Sequence, residues 1–181
     1  MTQAPPNPAA SAKQALSAFE NGQFELAIEG FREAREGFIA AGNPLQGAEM
    51  ANNLAVALVQ AGRHQAALEA LSGTFQIFLD HGDWIKAAQA LGNEAAAYEG
   101  LNDWERAESL YQQAAERFTD LDDPDNQQYT LQALSRIRLR QGRALEAVNT
   151  MQGALESKKH TNWSTRLARK ILSLPSRMLK P

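Results

Sequence analysis

Small and large residues recur along the chain at a fixed interval of 40, and that pattern is what organises it. Ala15, Ala55, Ala95 and Ser135 form one small column, and Ala27, Ala67, Ala107 and Ala147 form a second. Four residues after the second column come large side chains, Phe31, Leu71, Tyr111 and Met151. Between the two small columns stand Gly22, Gly62, Asn102 and Gly142. A period that holds through four copies predicts stacked structural repeats rather than one globular core. In the second copy, Ala51, Leu54, Ala55 and Leu58 are spaced by three and four, so a helix over about 44–61 has one apolar face. Gly62 ends it, because a left-handed residue closes a helix without steric cost when it is glycine, and Asn102 is the next best choice. Ala67, Leu68, Leu71, Phe75 and Phe78 then share one stripe and predict a second helix that packs back on the first. The alanine columns let the paired axes approach to about 8 Å.

Boundaries between units have their own chemistry. Asn43, Asp83 and Asp123 form a column of helix N-caps, and Pro44 and Pro124 follow at the first helical position. Phe38, Phe78 and Phe118 align near the end of each unit, but the fourth member is Lys158, so the stack is expected to end there. The expected organisation is an N-terminal disordered lead over 1–10, four repeats over 11–157, and a basic capping helix and tail over 158–181. In that last segment Trp163 to Leu174 reads as a helix, with Leu167, Ile171 and Leu174 on one face and Pro175 after it. Open solenoid ends need such a cover.

Composition narrows the function classes. The 181 residues include no cysteine, so disulfides and thiolate metal sites are excluded and a reducing, cytoplasmic location is expected. Residues 1–10 show neither a charged start nor an apolar run, and no stretch of about 18 apolar residues could form a membrane span. The charge is divided along the chain. Up to Glu156 there are 11 basic and 21 acidic residues, net −10, whereas seven basic residues from Lys158 onward give the tail +7. His64, His81 and His160 lack metal-ligand spacing, and the acidic run from Asp120 to Asn126 lacks the glycine and terminal glutamate of a calcium loop. No glycine-rich phosphate loop or nucleophile elbow is present. The expectation is a non-enzyme with no cofactor and no metal.

The columns resemble those of tetratricopeptide repeats, in which a small residue and an aromatic in the first helix are followed by Ala-x-x-x-large in the second. Ala95, Tyr98, Ala107 and Tyr111, with Asp103 and Trp104 after the turn, carry the resemblance best. Leu54, Ala55, Leu58, Gly62, Ala67 and Leu71 repeat it, as do Ala15, Gly22, Phe24, Ala27 and Phe31. The fourth copy departs, with Arg138 where an aromatic is usual and Ala144 in the place of Trp104. The usual unit has about 34 residues; these units of 40 are similar to the longer repeats of MalT-like and kinesin-light-chain-like arrays. The resemblance implies an all-α, right-handed α-solenoid of antiparallel helix pairs that acts as an interaction scaffold, with a protein or peptide as partner.

It also implies that first helices line a concave groove. Counting along the columns places Asn52, Asn53, Gln89, Asn93, Tyr129, Gln132, Arg136 and Arg140 there. Asparagine offers a donor and an acceptor on one tip, so Asn53 and Asn93 can hold the backbone of an extended peptide. The plainer reading is a solvated polar face. Arg136 and Arg140, four apart, can form a carboxylate or phosphate fork or pair with nearby acids. A carboxylate clamp of the chaperone-binding type is excluded, since Tyr129 and Ala133 occupy its last basic positions. A second expectation concerns Arg166, Arg169, Lys170, Arg177 and Lys180, a basic amphipathic tail suited to an anionic membrane surface, or less so to nucleic acid. Self-association of the positive tail with a neighbouring acidic body is a third.

Overall fold

In this computed structural model the described residues are 7–153 and 155. They form helices α1 (Pro8–Glu20), α2 (Phe24–Ala40), α3 (Pro44–Gln60), α4 (His64–Leu71), α5 (Thr74–Asp80), α6 (Trp84–Gly100), α7 (Trp104–Asp120) and α8 (Pro124–Arg140), with helical residues again over 144–153. Consecutive helices pack on one another except across the α4–α5 break, where both short helices pack on α3 and α6, and α6 also touches α3 on one side and α8 on the other across units. This is the expected all-α solenoid of antiparallel helix pairs. None of the described helices is long and apolar enough to cross a membrane.

One turn geometry serves both joints of the first three units and the inner joint of the fourth. At Asn102 (φ 61) the Asp103 N–H bonds back to the Tyr98 carbonyl (3.0 Å) and the Asn102 N–H to the Glu99 carbonyl (3.1 Å), which satisfies carbonyls that the helix end would leave open. The same pair of bonds recurs at Asp122 (φ 52), between units, where Asp123 bonds to Phe118 (2.9 Å). Gly42, Gly82 and Asp122 are thus a second left-handed column that the sequence reading did not identify. The acidic run from Asp120 to Asn126 is this turn followed by a cap, with the Asp123 carboxylate accepting from the Asn126 N–H at 3.1 Å. Asn43 and Asp83 cap α3 and α6 in the same way (3.1 and 3.0 Å).

The small columns do the packing assigned to them. Ala27, Ala67 and Ala107 are fully buried, as are Ala55 and Ala95. Ser135, the polar member, is buried too, and its hydroxyl donates to the Ala147 carbonyl (2.9 Å), tying the two small columns of the fourth unit together. Two expectations need correction. The second helix of the second unit is not continuous: it breaks between Leu71 and Thr74 because Gly73 adopts a left-handed conformation (φ 75), where Glu33 and Gln113 continue α2 and α7. Helix α1 starts at Pro8, inside the expected lead, because Asn7 accepts from the Ala9 N–H (3.0 Å) and proline fits the first turn. The predicted capping helix and its basic residues Arg166, Arg169, Lys170, Arg177 and Lys180 lie outside the described residues.

Candidate functional site

Because α3, α6 and α8 lie side by side, residues 40 apart become neighbours across one surface. Their inner faces enclose a groove of about 490 Å³, within the range typical of ligand pockets. Its floor is apolar, formed by Val56, Val59, Ala96 and Ala133, with Tyr111 and Phe118 reaching in from α7. Amides and hydroxyls stand along it: Asn52, Asn53 and Gln60 from α3, Gln89 and Asn93 from α6, Asn126 and Thr130 from α8. Tyr129 overhangs one end and is 75% exposed.

Six of the eight residues expected in the groove line it: Asn52, Asn53, Gln89, Asn93, Tyr129 and Arg136. Gln132 is exposed on α8 outside the cavity lining. Arg140 lies over the Trp104 ring, 5.5 Å from its centroid, a cation–π contact, and does not line the groove, although its charge acts on Glu99. Of the two arginines, Arg136 lines the groove and Arg140 does not. Arg136 grips Glu99 through two parallel bonds, Nε donating to Oε1 and Nη2 to Oε2 at 2.8 Å each, and the Tyr111 hydroxyl donates to Glu99 Oε2 at 3.1 Å. Burial alone would raise the Glu99 carboxyl, but the Arg136 bonds and charge outweigh it and hold Glu99 below the usual carboxylate range. Tyr111 is pushed upward by burial and by the Glu99 charge, so it stays a neutral donor.

Sequence reasoning missed Lys86, Tyr111, Asn126 and Thr130. Lys86 and Asn126 fall in the column of Gln46, third in each first helix, where the capped N–H draws notice away from the side chain. Tyr111 was assigned to the core column and is buried, yet its edge also reaches the groove. Lys86 is held by Glu49 and Asp83 (3.0 Å to the latter). Two buried side-chain atoms have no hydrogen-bond partner among the described residues, His64 Nδ1 and Asn52 Oδ1, and of the two only Asn52, 7% exposed, lines the groove.

Two family models match the chain. One is described as a tetratricopeptide repeat and covers residues 12–76. The other, described as soluble NSF attachment protein, SNAP, covers residues 55–170, well over half the chain. No curated protein matches the sequence. Among solved structures, BtubC (BKLC) from P. vanneervenii superposes with a TM-score of 0.75 at 18% identity, over 86% of this chain and 64% of that one. The apo form of RapI gives a TM-score of 0.76 at 15% identity, over 90% and 59%. A kinesin light chain with nearly identical TPR-like repeats from Podosopora anserina gives 0.69 at 17% identity, over 97% and 80%. The chain thus spans under two thirds of BtubC and RapI, and at these identities the likeness is one of fold.

Proposed function

Given that the chain belongs to the soluble NSF attachment protein family and carries tetratricopeptide repeats, we propose that it is a non-catalytic interaction scaffold. Its concave groove would receive an extended segment of a partner protein. The family description itself names an attachment protein, a binding role. The single observation that supports the groove as the working surface is the row of amides along an apolar floor, with Asn53 and Asn93 in one column of adjacent helices and Asn52 beneath them. Such a row can bond main-chain groups whatever the side chains, while the floor takes up alternate side chains of a strand-like segment. The test is affinity capture from source cells with wild type and with Asn53→Ala/Asn93→Ala. A protein retained by wild type and lost with the folded double variant supports the groove; equal retention by both removes it.

A further inference from the structure

Resting on that reading, the geometry points to a specific seat in the groove, formed by Asn52 and Gly92, for the main chain of an uncharged extended peptide segment. Asn52 and Gly92 are 40 apart, on the adjacent helices α3 and α6, and both line the cavity. Asn52 Oδ1 is a buried acceptor without a partner among the described residues, a costly arrangement that an N–H from an occupant would relieve.

Gly92 makes the complementary argument. Glycine in a helix interior is unfavourable relative to alanine, so it needs a cause. The other helical glycines of α2, α3 and α6 have one within the protein: a Cβ at Gly30 would come within 2.9 Å of Ala15 Cβ, one at Gly37 within 2.8 Å of Pro8 Cβ, and one at Gly47 within 2.8 Å of Ile39 Cγ1, while at Gly100 it would overlap the His64 ring. At Gly92 a Cβ meets nothing within 4 Å. Nothing described in the protein requires the missing side chain, but a main chain lying against α6 would.

The class of occupant follows from charge. The cations that line the groove are already paired, Lys86 with Glu49 and Asp83, and Arg136 with Glu99. A charged side chain over the seat would lose water and find no free counter-charge. An uncharged segment loses nothing there: its N–H bonds Asn52 Oδ1, its Cα lies against Gly92, and a neighbouring apolar side chain rests on Val56 and Ala96.

The test uses the full chain and a displayed library of random dodecapeptides, with selected peptides synthesised and titrated by fluorescence anisotropy. The expected winners carry no charge across the central residues and bind Gly92→Ala and Asn52→Leu about tenfold more weakly. Both variants should melt no lower than wild type, and Gly92→Ala about 2–4 °C higher, since each removes an unfavourable local feature. A loss of binding in a protein at least as stable separates a seat from a structural role. Unchanged affinity for both variants, or charged central residues, overturns the seat while sensitivity to Asn53→Ala/Asn93→Ala keeps the groove. Peptides indifferent to all of these variants, or no selection at all, overturn both.

Discussion

The groove between α3, α6 and α8 and the joint that binds α7, α8 and residues 144–150 are both built from part-buried polar side chains, and they use them in opposite ways. In the joint every strong group finds its partner inside the protein. Glu108 accepts from Arg138 Nε (2.9 Å) and Arg143 Nη1 (2.6 Å), Arg138 also donates to the Thr150 hydroxyl, and Arg143 pairs with Glu146. The pair at its centre is well covered, with Glu108 and Arg138 side chains 16% and 17% exposed. In the groove the charges are likewise matched, but among the described residues the amides of Asn53, Gln60, Gln89 and Asn93 make no side-chain hydrogen bond, and Asn52 Oδ1 is buried without one. Polar groups that complete one another hold the fold, whereas polar groups left incomplete on a concave surface are available to a ligand.

The sharpest way to break the joint is Glu108→Gln, which leaves two arginines against a neutral amide. We expect a loss of about 2–3 kcal/mol in urea unfolding, with faster amide exchange concentrated in α8 and 144–153. Burial would raise the Glu108 carboxyl, but the bonds from Arg138 and Arg143 outweigh it and hold it below the usual value of 4.5. Its stabilisation is therefore complete above about 4.5 and is lost as pH falls through the lower folded value. The stability gap between wild type and Glu108→Gln should narrow on acidification; a gap that stays constant down to pH ~3 would contradict the ionic account.

The apolar joints offer the contrast. Ala107 is fully buried between α6 and α7, so Ala107→Leu overpacks a joint that has no charge to titrate. A loss of about 1–3 kcal/mol is expected, and it should be the same at both ends of the pH range in urea melts. A smaller effect of opposite sign is expected at Glu94. This residue occupies the column of the buried Leu54 and Leu134, and burial raises its carboxyl. Folding therefore favours the protonated form, and the cost is present above the raised value and relieved as pH falls. Glu94→Leu should stabilise the chain by about 1 kcal/mol at neutral pH, with less gain in acid, as calorimetry can show. The smallest effect on stability belongs to Asn53→Ala/Asn93→Ala, expected within about 0.5 kcal/mol of wild type, although this pair should have the largest effect on binding.

Much of the joint architecture was legible in the sequence because packing of this kind depends on size alone. A small residue at 15, 55 and 95 and at 27, 67 and 107 can be read without coordinates, and so can the caps at Asn43, Asp83 and Asp123. The break at Gly73 was not legible, since glycine also appears at Gly30, Gly37 and Gly92 inside unbroken helices. For the groove, the period placed Asn52, Asn53, Gln89 and Asn93 on one wall, but it could not say which polar groups are already satisfied. Arg136 and Arg140 looked alike in the sequence; only the positions of Glu99 and Trp104 in three dimensions distinguish them.

The most direct test of the groove as the binding surface is photo-crosslinking in source cells, with a benzophenone side chain placed at Val56 on the groove floor or at the exposed Gln112 on α7. The account predicts a discrete crosslinked protein from Val56 that is lost with Asn53→Ala/Asn93→Ala and is not formed from Gln112. Crosslinking from Gln112 alone, or from Val56 regardless of the asparagines, would contradict it.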